Sequence, residues 1–417
     1  MPLPMPKGTR AKLHTQLTES LKRSRVFVNG KINPFSVRMA NVQSVISQGS
    51  PLDKKASEFL GEQHITTFIR SELRSIVLRR DKLLLPEKSL GGPFPESLAE
   101  EVASRLISAF ESLPWPYDFL LPLPGMAIQS LPFAEGFIEV TPDTHLIAGW
   151  FLNREARMSE MIEERRRSAA TDEQWDESAI YARVKIEGYV CRDYKSDSVL
   201  HAHERLFSLV GLLVAFQVLE TDFLWANDSE GRNPISISLL REEGLPETST
   251  LDLDSTYQAL ANDLGYTSRF ITILEKQSPE AALTEVKHAM SMCVDDRISS
   301  AAKWFLDSHA GNNSQVKFVQ LMIAFETLLG DRDTAKETGI ANLMANRCAY
   351  MIGTSSTHRE KLISAFKEGY DIRSRIVHAG TSRLTHRERT NFQQLQKLCA
   401  HVIQHEARIL RTENPAA

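Results

Sequence analysis

The sequence predicts an α+β protein: a mixed α/β N-terminal region followed by an all-α C-terminal helix bundle. Three observations carry this expectation. Apolar Ile180, Ala182, Val184, Ile186 and Val190 alternate with Tyr181, Arg183, Lys185, Glu187 and Tyr189, the period of a half-buried strand. From about residue 296 onward the strand pattern is absent and apolar residues return at helical spacing. The charge also changes sign: the part from Arg297 to the end holds 17 Lys and Arg against 11 Asp and Glu, out of 49 and 53 in the whole chain, so a net +6 follows a net −10.

In chain order, residues 1–25 begin MPLPMPKGTRAKLHTQ and read as a flexible tail, with basic residues and prolines but no apolar leader. Residues 26–295 form the mixed α/β region, with turn signals at Gly91-Gly92-Pro93 and in LPWPYDFLLPLPG. The charged run 159–178 reads as an exposed helix end or linker, and a break near 160–178 divides this region into two subdomains. Residues 203–220 are apolar nearly all round, as in a helix buried between other elements. The run 206–219 inside it is too short and interrupted to span a bilayer. Residues 296–412 are expected to form the bundle, with helices at about 296–309, 314–329, 338–352, 358–379 and 387–411. Residues 413–417 form a tail.

A chain of 417 residues, 42% hydrophobic, supports two or three domains with sizeable cores. Its net charge of −4 argues against a protein coated with nucleic acid, though local patches remain open. One such patch gathers Arg373, Arg375, Arg383, Arg387 and Arg389 with His378 and His386, relieved by Glu388. It suits a polyanion such as RNA or a solvated basic loop. Cys191, Cys293, Cys348 and Cys399 are far apart, which indicates neither a zinc ribbon nor a disulfide scaffold and fits a reducing cytoplasm.

A helical wheel separates the charges of YDIRSRIVHAG, 370–380. Arg373 falls among Leu362, Phe366, Tyr370, Ile376 and Val377, in the apolar stripe. Arg375 falls with Lys361, Glu368 and Asp371, facing solvent. The same exercise places Glu326 in the stripe of 316–330 and Arg347 between Leu343 and Met351. A buried unpaired charge costs several kcal/mol, so the three should pair or line a cleft. One reading is a Glu326–Arg347 ion pair with Arg373 as second partner; the other has Glu326 orienting Arg373 toward a phosphate. Gly380 marks a helix end, which puts His378 in the last turn, where the helix dipole favours an imidazolium.

Arg373-Ser-Arg-Ile-Val-His378, with Tyr370-Asp371-Ile372 before it, AFETLLG around Glu326 and NRCAYMIG around Arg347, resembles the HEPN domains. The likeness is to the C-terminal domain of bacterial abortive-infection anti-phage proteins of the ApeA type. It covers about 296–412 and matches the R-x4-H form of the family motif. Ser374 stands where many members carry Asn, Asp or His. The resemblance implies a metal-independent endoribonuclease without cofactor, active as a homodimer whose motifs meet in a cleft for single-stranded RNA. Arg373 and His378 are then catalytic, with Glu326, Arg347 and Ser374 supporting them and Arg375, Arg383, Arg387 and Arg389 on RNA. The ribose 2′-OH attacks the adjacent phosphate with His378 as base or acid and Arg373 stabilising the phosphate oxygens, leaving a 2′,3′-cyclic phosphate and a 5′-hydroxyl. Residues 26–295 become a sensor for a phage-derived trigger, and an antitoxin partner stays open.

Other chemistries find less support. His401 and His405 stand at i, i+4 and His201 is two residues from His203, yet neither pair has a Cys, Asp or Glu cluster at ligand spacing, so no metal is expected. GxxxxGK[ST], a GxGxxG after a strand and GxSxG are all absent. Two alternatives remain: a catalytically silent HEPN module that binds nucleotide or RNA or dimerises within a defence complex, and a scaffold whose basic cluster binds an acidic partner.

Overall fold

Leu13, Leu17 and Leu21 recur every fourth residue and are buried, and around them Lys7–Lys22 form a helix, α1, where a flexible tail was expected. Three buried leucines outweigh a chain start rich in lysine and proline, each contributing about 1.5–3 kcal/mol. The protein is described by a computed structural model at residues 3, 5–26, 32–60, 64–78, 92–123, 135–155, 175–191, 196–221, 235–241, 247–266, 279–291, 297–330, 339–380 and 383–413. Gly91, Cys293, most of the charged run 159–178 and the last four residues lie outside these. The architecture is α+β, with a six-stranded sheet and an all-helical C-terminal part.

The chain gathers into two compact units, one of Met1–Asp118, Lys185–Ala202 and Leu240–Thr248, the other of Phe119–Val184, His203–Leu239 and Ser249–Ala417. In the first, α1 is followed by α2 (Pro51–Leu60), α3 (His64–Leu78) and α4 (Glu96–Glu111). Arg10 Nε lies 3.1 Å from Glu111 Oε1, and His14 Nε2 3.0 Å from Ser104 Oγ, tying α1 to α4. Phe68 centres an aromatic core with Phe110, Trp115 and Tyr189 at ring distances of 5.4, 5.8 and 5.1 Å. The Tyr189 hydroxyl donates to Glu72 Oε1 at 2.9 Å, and burial pushes the phenol well above its ordinary pKa.

The strands are β1 (Trp115–Leu123), β2 (Phe137–Thr141), β3 (Thr144–Ala148), β4 (Ile180–Gly188), β5 (Leu219–Glu220), β6 (Ser236–Arg241), β7 (Glu247–Asp252) and β8 (Gly265–Tyr266). The larger sheet runs β2-β3-β4-β1-β6-β7, with β3 antiparallel to both β2 and β4; β5 pairs with β8. In β4 the expected alternation holds from Ala182 to Glu187, but Tyr181 and Tyr189 are buried as well. Trp175 packs edge-on at 5.2 Å against Tyr181, and Tyr189 enters the aromatic core. β1 occupies the stretch whose prolines signalled turns. Pro116 and Pro122 fall one residue from either end of the strand, where a missing N–H costs the ladder least, and Tyr117–Leu121 between them is proline-free and buried.

The helix α5 (Asp197–Ala215) belongs to the second unit from His203 onward, where Ser208 Oγ donates to Ser299 O at 2.9 Å and Ala215 O accepts from Gln404 Nε2 at 2.7 Å. Among the described residues α5 is the one helix long and apolar enough to cross a membrane, and 72% of that apolar window is buried within the protein. Ser255–Asp263 (α6) and Pro279–Ser291 (α7) lead into α8 (Arg297–Asp307), α9 (Ser314–Leu329), α10 (Ile340–Ile352), α11 (Ser356–Ala379) and α12 (His386–Glu413). The expected bounds of these last five agree to within two residues. Their starts are capped: Asn313 accepts from the amides of Gln315 and Val316, and Ser355 Oγ from that of His358. Phe325 meets Phe366 edge-on at 5.0 Å, and Phe318 stacks on Phe392 at 5.5 Å. Gly380 ends α11 at φ 62°, the left-handed conformation glycine adopts without strain.

Candidate functional site

The buried stripe of α11 is Phe366, Gly369 and Ile372, which leaves Tyr370 half-buried and Val377 50% exposed. The stripe is thus turned toward Ile372 relative to the wheel expectation. Arg373 consequently sits at the edge of the core. Its Nη2 lies 3.5 Å from Glu326 Oε1, with the two side chains 23% and 31% exposed. Its guanidinium carbon is 5.9 Å from the centre of the Tyr370 ring, and its Nε is buried with no hydrogen-bond partner. Arg347 is half-buried, and its Nη1 donates to Leu329 O at 2.9 Å, closing the C-terminal end of α9. The three charges expected in the core therefore line its margin, where water reaches them, and Arg373 stands against Glu326.

His378 is exposed in the last turn of α11, two residues before Gly380, and Ser374 is half-buried. Five residues separate Arg373 from His378, about 140° and ~7.5 Å along an ideal helix. Within this one chain the guanidinium is held at the helix–helix margin while the imidazole projects into solvent. A phosphate reaching both has to lie along the final two turns of α11.

The basic residues assigned to RNA divide into two sets. Arg375 is 55% exposed, as the wheel indicates, and its Nη2 pairs with Oε1 of Glu388, whose side chain is 9% exposed. Glu388 Oε2 accepts from the Thr385 amide at 2.7 Å and from its hydroxyl at 2.9 Å, while Thr385 Oγ1 accepts from the Glu388 amide at 3.3 Å. This reciprocal T-x-x-E box caps α12, and the Thr385 amide followed by the Arg375 guanidinium holds the carboxyl below its ordinary pKa. Arg387 places Nε 2.7 Å from Glu368 Oε1. Arg383 and Arg389 are exposed, with no ion pair recorded for either among the described residues.

Between α11 and α12 lies an open groove of about 710 Å³, lined by Lys361, Glu368, His386, Arg387, Thr390 and Asn391 among others. Asn391 on its floor donates Nδ2 to Ala365 O at 3.1 Å. Among the described residues no group of three or more His, Cys, Asp or Glu is placed to hold a metal ion. Cys191, Cys348 and Cys399 are buried free thiols, and burial pushes Cys348 up to about 12. Comparison with protein-family models, with curated proteins and with solved structures finds no match for this chain.

Sequence reasoning placed Glu388 within the basic cluster and Glu368 on the solvent face with Arg375, but it assigned neither the Arg375–Glu388 nor the Arg387–Glu368 pair. Glu388 had a legible signal, Thr385 three residues before it, which is the spacing of a capping box. Glu368 had none, because its partner lies on another helix.

Proposed function

We propose that the chain is a metal-independent endoribonuclease of the HEPN type, acting in the cytoplasm as a homodimer and serving as an anti-phage abortive-infection effector. The observation that carries this reading is the Arg373–Glu326 pair one and a half turns before an exposed His378 at a glycine-terminated helix end. A carboxylate keeps the guanidinium extended with N–H donors to spare, and an exposed imidazole at the helix end is open to a substrate's proton. His378 takes the proton of the ribose 2′-OH as that oxygen attacks phosphorus. The bond to the 5′ oxygen breaks, the leaving oxygen is protonated, and Arg373 stabilises the charge on the phosphate oxygens. A second copy of the motif supplies the other half of the cleft, so that one imidazole acts as base and the other as acid. Arg383 and Arg389 hold the RNA strand.

The experiment is incubation of the purified full-length protein with single-stranded RNA and with its all-deoxy counterpart in EDTA, followed by analysis of the ends. RNA cut to 2′,3′-cyclic phosphate and 5′-hydroxyl ends, with DNA untouched, is expected. Cleavage of both nucleic acids, or 3′-hydroxyl ends, excludes 2′-OH attack.

A second reading, a silent HEPN module that binds RNA or nucleotide or dimerises within a defence complex, is favoured by a separate observation. Arg375 and Arg387 are already held by Glu388 and Glu368, which weakens the cation surface offered to a polyanion. RNA binding without cleavage distinguishes it.

A further inference from the structure

At the opposite end of α11 from His378, the bundle holds a second concave site, a pocket of about 360 Å³. His358 and Leu362, which line it, precede Arg373 by eleven residues or more, roughly 16 Å along the helix. His401, His405 and Arg408 line it from α12, at the i, i+4, i+7 spacing that puts three side chains on one helix face. Its apolar lining is Ile352, Leu362 and Leu398, and among the described residues no acidic side chain lines it.

One of the pocket's imidazoles carries a buried nitrogen that the protein leaves unsatisfied. His405 Nδ1 is buried with no hydrogen-bond partner. His358 Nδ1 accepts from the Thr354 amide at 3.3 Å, which leaves Nε2 as the nitrogen carrying the proton in the neutral ring. Burial, and then the charge of Arg408, lower the pKa of His401, so the two groups oppose one another when both are charged. Gln404 is already committed to Ala215 O. Three imidazoles and a guanidinium without a carboxylate form an anion-seeking set, and a doubly charged oxyanion relieves the His401–Arg408 opposition while accepting from both. The absence of any three-ligand group among the described residues argues against a cation here. The volume falls near the lower end of small-molecule sites, about 300–1,000 Å³, and an apolar wall beside the cationic one calls for a ligand with two unlike ends.

We propose that this pocket binds a small soluble phosphomonoester, with the phosphate against His401, His405 and Arg408 and an aromatic or apolar body on Leu362 and Leu398. The site is separate from the proposed catalytic pair and does not depend on it.

The test is isothermal titration of the full-length protein with phenyl phosphate and with inorganic phosphate at neutral pH. Saturable one-to-one binding is expected for both, tighter for phenyl phosphate by about tenfold because the ring adds apolar burial. Arg408→Ala and the double variant His401→Gln/His405→Gln should each weaken phenyl phosphate binding by about tenfold or more, with circular dichroism confirming the fold, whereas His378→Ala should leave it unchanged. Non-saturable uptake of both probes overturns the proposal, as does equal affinity in wild type and in whichever of the two variants folds. Equal affinity for the two probes removes the apolar end of the ligand.

Discussion

Arg373 on α11 and Glu326 on α9 meet at 3.5 Å on the margin of the helical core, each less than a third exposed. A partly exposed pair contributes modestly to stability, and on the proposed function its role is to direct the guanidinium. Glu326→Gln should therefore lower the unfolding free energy by only about 0.5–1 kcal/mol while slowing RNA cleavage by tenfold or more, roughly 1.4 kcal/mol in barrier height. Urea unfolding and a cleavage time course on one preparation read both effects. An unchanged cleavage rate denies Glu326 a positioning role.

Glu388 is the buried hub of the α11–α12 corner, joined to Thr385 in the capping box and to Arg375 across the helices. Glu388→Ala should cost about 1–2 kcal/mol, more than Arg375→Ala, because it removes the carboxylate half of the capping box and leaves the Thr385 amide without its acceptor. The folded pKa of this carboxyl lies below its unfolded value, held there first by the Thr385 amide. Its stabilisation is accordingly full above the ordinary carboxylate range and is lost as pH falls through the folded pKa. Glu388→Gln should flatten the acid limb of the stability curve; an acid limb identical to wild type contradicts the assignment.

His309 gives the opposite chemistry with the same sign of pH dependence. Its Nδ1 stands 2.9 Å from Thr221 Oγ1 and 3.3 Å from Gln396 Nε2, and burial, then Lys317, push its pKa down to about 4 from 6.5. Between those values the unfolded chain binds the proton and the folded chain does not, so unfolding free energy rises with pH across that window. The contribution is complete above about 6.5 and disappears toward 4. Wild type should show a slope steeper by up to about one proton than His309→Asn in urea unfolding from acid to neutral pH. Equal slopes contradict a buried neutral imidazole.

Gly369 lets α11 approach α12: a Cβ there comes within 2.5 Å of Leu395 Cδ1, a side chain with no exposed surface. Gly369→Ala gains about 0.8–1 kcal/mol of helix propensity against a comparable packing cost, so near-neutrality is expected. Gly369→Val adds two methyl groups to the same contact and should cost about 1–3 kcal/mol. A thermal melt that ranks Val equal to Ala would show that the helices part without penalty.

The sequence made the bundle legible because each helix carries a repeating apolar stripe bounded by a cap or a glycine: Asn313 before α9, Ser355 before α11, Gly380 after it. The strand β4 was legible for the same reason at period two. α1 was missed because three leucines in sixteen residues are a sparse stripe among lysines, and β1 because prolines near its ends mask a buried interior. At the site, the wheel separated Arg373 from Arg375 in exposure and pointed to Glu326 as a partner of Arg373, but it did not identify Glu388 as the partner of Arg375. Helical phase reports which face a residue occupies, and a partner on another helix, such as Glu368 for Arg387, is a property of tertiary packing.

The central claim is that Arg373 and His378 carry out phosphodiester cleavage, and the most direct measurement compares single-stranded RNA cleavage in EDTA by wild type, His378→Ala and Arg375→Ala at equal protein concentration. The account predicts cleavage by wild type, loss of it by about 100-fold or more in His378→Ala with the oligomeric state intact, and weakened RNA affinity with turnover retained in Arg375→Ala. Cleavage by His378→Ala at the wild-type rate, or a greater loss in Arg375→Ala, contradicts it.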